Sequence, residues 1–242
     1  MNTNNDHLIL IAGASATGKS ASLIGLANPE GVIYLRCEPK KLPFKTTFKE
    51  FVVTDTQQVY QAFAEAENIP DVHTIVIDSL TFLMDMYEST KVLNSANSMK
   101  EWGNYAQYLK VMMSQLVAKS TKNVIFTAHT MNILNEAEMV TETLVKVKGS
   151  LMSVGIESFF STVISTKRMP LSKLTDLVAD SSMFTITEDE EIDKFKYVFQ
   201  TRLTKDTVNE RIRSPLGMWS RKETYIDNNV QFVLNRLHTY YK

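Results

Sequence analysis

Short apolar runs alternate with amphipathic stretches along the first two thirds of the chain. A short apolar run predicts a buried strand, and apolar residues spaced three or four apart predict a helix. The predicted strands are 8–12, 32–37, 74–78, 123–128 and 158–165. The predicted helices are 19–28, 57–68 and a long helical region over 80–120. This alternation favours parallel strands joined by right-handed helical crossovers.

The pattern changes after Pro170. Residues 196–203 alternate between apolar and polar side chains, which predicts an antiparallel strand, and 230–240 predict a closing helix. Residues 139–146 fit either a hairpin arm or a mobile loop. We therefore expect an α/β fold with a doubly wound, mainly parallel sheet flanked by helices and ending in antiparallel strands. Residues 1–7 are expected to form a flexible tail, and 8–242 a single domain whose last part is 170–242.

Composition narrows the class of protein only a little. The chain has 242 residues, of which 44% are hydrophobic and 22% charged, and its formal net charge is −1. Cys37 is the single cysteine, and no basic start precedes a long apolar run, so a reducing cytoplasm without membrane insertion is expected. The balanced charge gives no general attraction to polyanions, so nucleic-acid binding would have to depend on local basic clusters.

The most informative motif follows the first predicted strand. The sequence GASATGKS fits the phosphate-binding pattern GxxxxGK[ST], in which glycines let backbone amides turn inward around a phosphate. Lys19 is expected to reach the β- and γ-phosphates, and the Ser20 hydroxyl to bind Mg²⁺. The candidate nucleotide-binding residues are Gly13, Ala14, Ser15, Ala16, Thr17, Gly18, Lys19, Ser20 and the following Ala21.

Three polar residues stand at the carboxyl ends of other predicted strands, where α/β proteins bind ligands. Asp78 ends an apolar strand, as does a Walker B carboxylate that binds Mg²⁺. Glu38 is a candidate general base for the attacking water; the alternative is a surface glutamate that opens a lysine-rich loop. His129 could contact the γ-phosphate and report hydrolysis to the following loop, or it could be a structural histidine.

Together these strand ends resemble the RecA-type ATPase core. The motif GASATGKS, the strand ending in Glu38, TIVIDSLT and FTAHT are similar to the small phage nucleotide-binding family of RecA-like single-strand annealing or recombination ATPases. The resemblance covers residues 7–215 and implies ATP and Mg²⁺ as ligands. It also implies water activation by Glu38 and γ-phosphate sensing by His129. A DNA-binding loop would span 130–155, with Lys146 and Lys148 near single-stranded DNA.

The resemblance also implies partners. RecA-like ATPases assemble as filaments or rings in which a neighbour's basic residue completes the site, and Lys205, Arg211 and Arg213 are the candidates here. Single-stranded DNA and a single-strand binding protein are the other expected partners. A ring helicase or other motor ATPase of the same core is the main alternative. A small-molecule kinase fits less well, because residues 80–122 contain no arginine for a lid over the phosphates.

Overall fold

The computed structural model describes residues 5–174 and 182–242. Within them the strands are β1 Leu8–Gly13, β2 Val32–Arg36, β3 Lys49–Val52, β4 Thr74–Asp78, β5 Asn123–Asn135, β6 Val140–Val145, β7 Thr162–Pro170, β8 Phe195–Gln200 and β9 Tyr225–Asp227. The α-helices of the same residues are α1 Gln57–Ala66, α2 Leu80–Tyr87, α3 Ser98–Val111, α4 Ser150–Val154, α5 Glu188–Asp193 and α6 Val230–Tyr240.

The sheet is mixed but mostly parallel. Its strands lie in the order β3-β2-β4-β5-β1-β7-β8-β9, and β6 pairs with the far end of β5. The first six strands of that order are parallel, whereas β8 and β9 are antiparallel. The predicted α/β fold with antiparallel C-terminal strands is therefore confirmed.

Apolar side chains cover both faces of the sheet. Leu8 and Leu10 of β1 belong to the hydrophobic cluster on one face, whereas Ile9 and Ile11 belong to the cluster on the other. Helices α1, α2 and α3 pack on the first face, and α6 packs on the second. A strand that is covered on both faces has a continuous run of apolar residues in its sequence. This is why the central strands could be located from the sequence.

The prediction of an α-helix after the phosphate-binding loop is wrong. Residues Ala21–Gly25 form only a short 3-10 turn instead of an α-helix over 19–28. Gly25 has a low helix propensity, and Asn28 adopts φ 47°, ψ 62° immediately before Pro29, where the α conformation is disfavoured. Asn229, at the start of α6, packs directly on Gly25, so no side chain can be accommodated there.

Three other boundaries differ from the predictions. The four-residue strand β3 was missed, because all of its residues are exposed and give no burial pattern. The strand predicted at 158–165 begins at Thr162, since Ile156–Phe159 form a 3-10 turn. Strand β5 continues to Asn135 and pairs with β6, so the region between the fourth and fifth predicted strands contains a β-hairpin.

None of the helices in the described residues is both long enough and apolar enough to cross a membrane.

Candidate nucleotide site

The phosphate-binding loop leaves β1 at Gly13 and turns through two residues of positive φ. Ala16 has φ 59° and Gly18 has φ 96°. A Cβ at Gly13 would collide with the hydroxyls of Thr17 and Thr166, so only glycine fits where the loop passes β7. The tight course of the loop therefore depends on the glycines that define the motif.

Lys19 lies inside this loop. Its Nζ donates hydrogen bonds to the carbonyl oxygens of Gly13, at 3.0 Å, and Ala14, at 2.7 Å. The residue is only 6% exposed. Burial lowers the pKa of Lys19 to about 8, although the nearby carboxylates of Glu38 and Asp78 act in the opposite direction. A buried ammonium with two carbonyl partners is well placed to exchange them for phosphate oxygens.

An open cavity of about 380 Å³ adjoins the loop. It is lined by Ala16, Gly18, Lys19, Ser20, Ala21, Lys40, Lys41, Pro43, Tyr197 and Asn228. Tyr197 and Asn228 form the C-terminal side of this cavity. Asn228 also contacts the loop directly, since its Nδ2 donates to the Gly18 carbonyl at 2.9 Å. The cavity is thus bounded by the loop, by the lysines after β2 and by the C-terminal strands.

Asp78 ends β4 beside the end of β2, with Arg36 as its register partner. The residue is 2% exposed, and its two carboxylate oxygens accept hydrogen bonds from Tyr34 Oη, at 2.7 Å, and from the Thr127 hydroxyl. Burial, together with the negative charge of Asp78, raises the pKa of Tyr34, so the phenol keeps the proton it donates. Two neutral donors therefore fix the carboxylate in one orientation.

Glu38 follows β2 and is the second buried carboxylate at this edge. Its Oε1 lies 3.2 Å from His129 Nε2, and its Oε2 lies 2.8 Å from Lys40 Nζ. Burial alone would raise the pKa of Glu38, but hydrogen bonds from His129, Lys40 and Ser79 outweigh it and lower the pKa to about 2. Glu38 is thus an ionised group whose position is set by its neighbours.

His129 connects Glu38 with the hairpin. It is the register partner of Gly13, so it lies at the same edge of the sheet as the loop. Its backbone N–H donates to Thr81 Oγ1 at 2.9 Å, and its carbonyl accepts from the Lys146 N–H at 2.8 Å. The ring meets Phe82 edge to face, with 5.8 Å between ring centroids. The structure therefore brings Glu38 and His129 into direct contact beside the loop.

Of the other sequence candidates, Lys146 meets this group through its backbone N–H, which donates to the His129 carbonyl. Lys146 is exposed at the end of the hairpin, whereas Lys148 forms an ion pair with Glu88. Arg211 lies 3.2 Å from Glu142 and 3.8 Å from Glu157. Arg213 is exposed and exchanges backbone hydrogen bonds with Val163 at 2.8 and 3.2 Å, and Lys205 is exposed in a turn.

Three residues of the site were not singled out from sequence. Tyr34 and Thr127 point from strand interiors onto Asp78, and Lys40 pairs with Glu38. The only sequence signal for Tyr34 and Thr127 is a polar group within an otherwise apolar strand. Lys40 was visible only as one member of a lysine cluster.

Replacing Tyr34 with phenylalanine is expected to lower the free energy of unfolding by about 1–3 kcal/mol, because the buried Asp78 carboxylate loses a donor. Urea denaturation followed by circular dichroism would measure the change. Tyr87→Phe is the matched control, since its hydroxyl binds the less buried Glu101 at 2.9 Å, and it should cost clearly less. Equal losses in the two variants would mean that Tyr34 is not needed to hold Asp78.

The donor set fits a magnesium-bound triphosphate. At the edge of the sheet where the loop lies, Ser20 provides a hydroxyl, Asp78 a buried carboxylate and Lys19 a buried ammonium. Mg²⁺ in phosphate sites binds few protein oxygens, so this set is sufficient. Ser20 and Asp78 are the residues that would hold the metal, and Lys19 is the cation for the phosphates. These features define a P-loop nucleotide-binding protein.

Family comparison agrees with this class. A family model described as an AAA domain matches residues 6–202, and the chain therefore belongs to the AAA domain family of nucleotide-binding ATPases. No curated protein matches the chain. The match ends before β9 and α6, so Asn228, which contacts Gly18, lies in the part beyond it.

Proposed function

We propose that this chain is a Mg²⁺-dependent ATPase that acts on single-stranded DNA in recombination or annealing of the phage type. The observation that carries the proposal is the continuous link from Glu38 through His129 to the β5-β6 hairpin. A group that contacts both the candidate water-activating carboxylate and the base of a projecting hairpin can couple hydrolysis to what the hairpin binds.

Different residues of the chain have different roles in the proposed hydrolysis. Lys19 and the loop amides bind and orient the β- and γ-phosphates. Glu38 orients a water and accepts its proton as the water oxygen bonds to the γ-phosphorus. The bond from that phosphorus to the β,γ-bridging oxygen breaks, which leaves ADP and inorganic phosphate. When bound, Mg²⁺ would neutralise charge on the phosphate oxygens.

The hairpin is the proposed DNA-binding element. It follows His129 without a break, because β5 continues from the sheet to Asn135 and returns as β6. The hairpin is attached to the rest of the chain at its base, where the Thr143 N–H donates to the Asn209 carbonyl at 3.0 Å. Lys146 is exposed immediately beyond it and is the candidate phosphate contact. A change at His129 on γ-phosphate release would alter the anchor of this element.

Hydrolysis is expected to accelerate when a single-stranded oligonucleotide is added, and the effect should weaken as salt is raised. Phosphate release with and without oligonucleotide measures it. Lys146→Ala should reduce the stimulation, whereas the matched control Lys119→Ala should not, since Lys119 is exposed just before β5, at the opposite edge of the sheet.

A rate that no oligonucleotide changes, with hydrolysis itself intact, would reject the DNA proposal and leave the ATPase. Directional displacement of a paired strand would favour a ring helicase or another motor of the same core instead.

Self-association into a filament or ring is also proposed. Lys205 and Arg213 are exposed and available to a neighbouring copy, whereas Arg211 already contacts two carboxylates of its own chain. We therefore favour Lys205 or Arg213 as the residue acting in trans. Light scattering with a non-hydrolysable ATP analogue tests assembly. Mixing an inactive Lys19→Ala chain with Lys205→Ala or Arg213→Ala would restore hydrolysis if the missing residue acts across the interface.

A further inference from the structure

Lys40 is the one exposed partner of the buried Glu38 carboxylate in the described structure. Its Nζ lies 2.8 Å from Glu38 Oε2, and its side chain is 62% exposed, whereas that of Glu38 is only 3% exposed. The partner on the other oxygen is His129, whose backbone N–H donates to Thr81 Oγ1 of α2. Of the Lys40 and His129 contacts, the Lys40 contact is therefore the easier one to break, because the lysine side chain is exposed and its ammonium can exchange the carboxylate for water or another anion.

Lys40 also borders the cavity beside the phosphate-binding loop. It lines that cavity together with Lys19 and Ser20, and its ammonium contacts Glu38. A terminal phosphate there would offer the ammonium several charged oxygens, whereas Glu38 offers it the single oxygen Oε2.

The backbone before Lys40 is anchored, so only the side chain needs to move. Arg36 Nη1 donates to the carbonyls of Glu38, at 3.3 Å, and Pro39, at 3.2 Å. Arg36 is itself paired with Glu50 of the neighbouring strand at 2.6 Å. Rotation about the long lysine side chain can therefore carry Nζ from the carboxylate to the cavity while the backbone stays in place.

We propose that Lys40 exchanges partners during the ATPase cycle. It holds Glu38 Oε2 in the nucleotide-free chain and moves to the γ-phosphate when ATP is bound, which frees that oxygen for the attacking water. ADP lacks the γ-phosphate, so the lysine returns to Glu38 after phosphate leaves. This inference rests on the proposed ATPase function and adds a γ-phosphate sensor supplied by the same chain.

Binding measurements test the exchange without hydrolysis. The affinities for ADP and for a non-hydrolysable ATP analogue, both with Mg²⁺, are measured by calorimetry. Lys40→Met is expected to weaken analogue binding about tenfold while ADP binding stays within about twofold, because one charge-assisted contact is lost. Lys40→Arg, which keeps the cation, should retain most of the preference. Lys41→Met is the matched control: Lys41 lines the same cavity, but its loss should affect both nucleotides alike.

A second arm uses competition between the two partners. Glu38→Gln leaves Lys40 with a neutral neighbour, so analogue affinity should rise several-fold, and the gain should vanish in Glu38→Gln/Lys40→Met. An unchanged analogue-to-ADP preference in Lys40→Met would overturn the exchange while leaving the ATPase proposal intact. A wild-type chain that binds neither nucleotide would reject the ATPase proposal, and the exchange with it.

Discussion

Replacing Lys19 with alanine is expected to abolish ATP hydrolysis, with a fall in kcat/KM of about a thousandfold or more. Lys19 is the buried cation of the loop, and its ammonium donates to the carbonyl oxygens of Gly13 and Ala14, which a triphosphate can replace. Alanine removes that charge and leaves the phosphate oxygens without a partner in a partly desolvated site, where an electrostatic contact contributes more than it does in water. Phosphate release at saturating Mg²⁺ measures the effect.

Lys119→Ala serves as the control for Lys19→Ala, because it removes an exposed lysine at the other edge of the sheet and should leave the rate within about twofold. Circular dichroism should show the same fold in both variants. Hydrolysis by Lys19→Ala at the wild-type rate would mean that the loop is a structural turn and not the phosphate site.

Replacing Glu38 with glutamine is expected to lower kcat by about a hundredfold to ten-thousandfold without weakening nucleotide binding. Glutamine has the same shape and can still contact His129, but it cannot accept a proton from water. Single-turnover hydrolysis measures the effect on the chemical step, and binding of the ATP analogue measures the effect on nucleotide affinity. Glu65→Gln, an exposed glutamate on α1, is the matched control and should leave both unchanged.

The acid dependence of kcat/KM provides a further check on Glu38. The pKa of Glu38 is lowered to about 2 in the nucleotide-free protein, so the carboxylate is ionised at any higher pH and loses its charge only near pH 2. Because kcat/KM reports the pKa values of the free enzyme, Glu38 should cause no fall in rate between pH 5 and 8. A Glu38-dependent acid limb near neutrality, absent in Glu38→Gln, would contradict the lowered pKa.

The sequence was most informative where burial and local geometry leave a repeated signal. β1 and β4 were located correctly because both faces of each strand are covered, so their residues are apolar except for Thr74 and Asp78 at the two ends of β4. The phosphate-binding loop was equally easy to identify from the sequence. Gly13 is required by the close approach to Thr166, and Gly18 by its φ of 96°, so the two glycines stand at a fixed spacing. The glycines that meet these constraints stand within one short motif, so a single sequence can display them even though Thr166 is distant in the chain.

The same reasoning failed where structure depends on distant residues. Strand β3, Lys49–Val52, has no alternating or buried pattern, because its hydrogen bonds come from β2 and its side chains face solvent. The turn after the loop packs against Asn229, about two hundred residues away, at Gly25. A local pattern cannot contain such partners.

The sequence alone therefore determined the class of fold, the loop, and the placement of Glu38 and Asp78 at strand ends. The prediction that His129 ends a strand is wrong: it lies within β5, at the point where that strand leaves the parallel sheet and enters the hairpin. The tertiary structure decided which of these groups touch. Strand order and register place His129 beside Gly13 and in contact with Glu38, and they aim Tyr34 and Thr127 at Asp78. The physical reason is that apolar runs encode burial, which is local, whereas contacts among buried polar groups depend on the pairing of strands far apart in the chain.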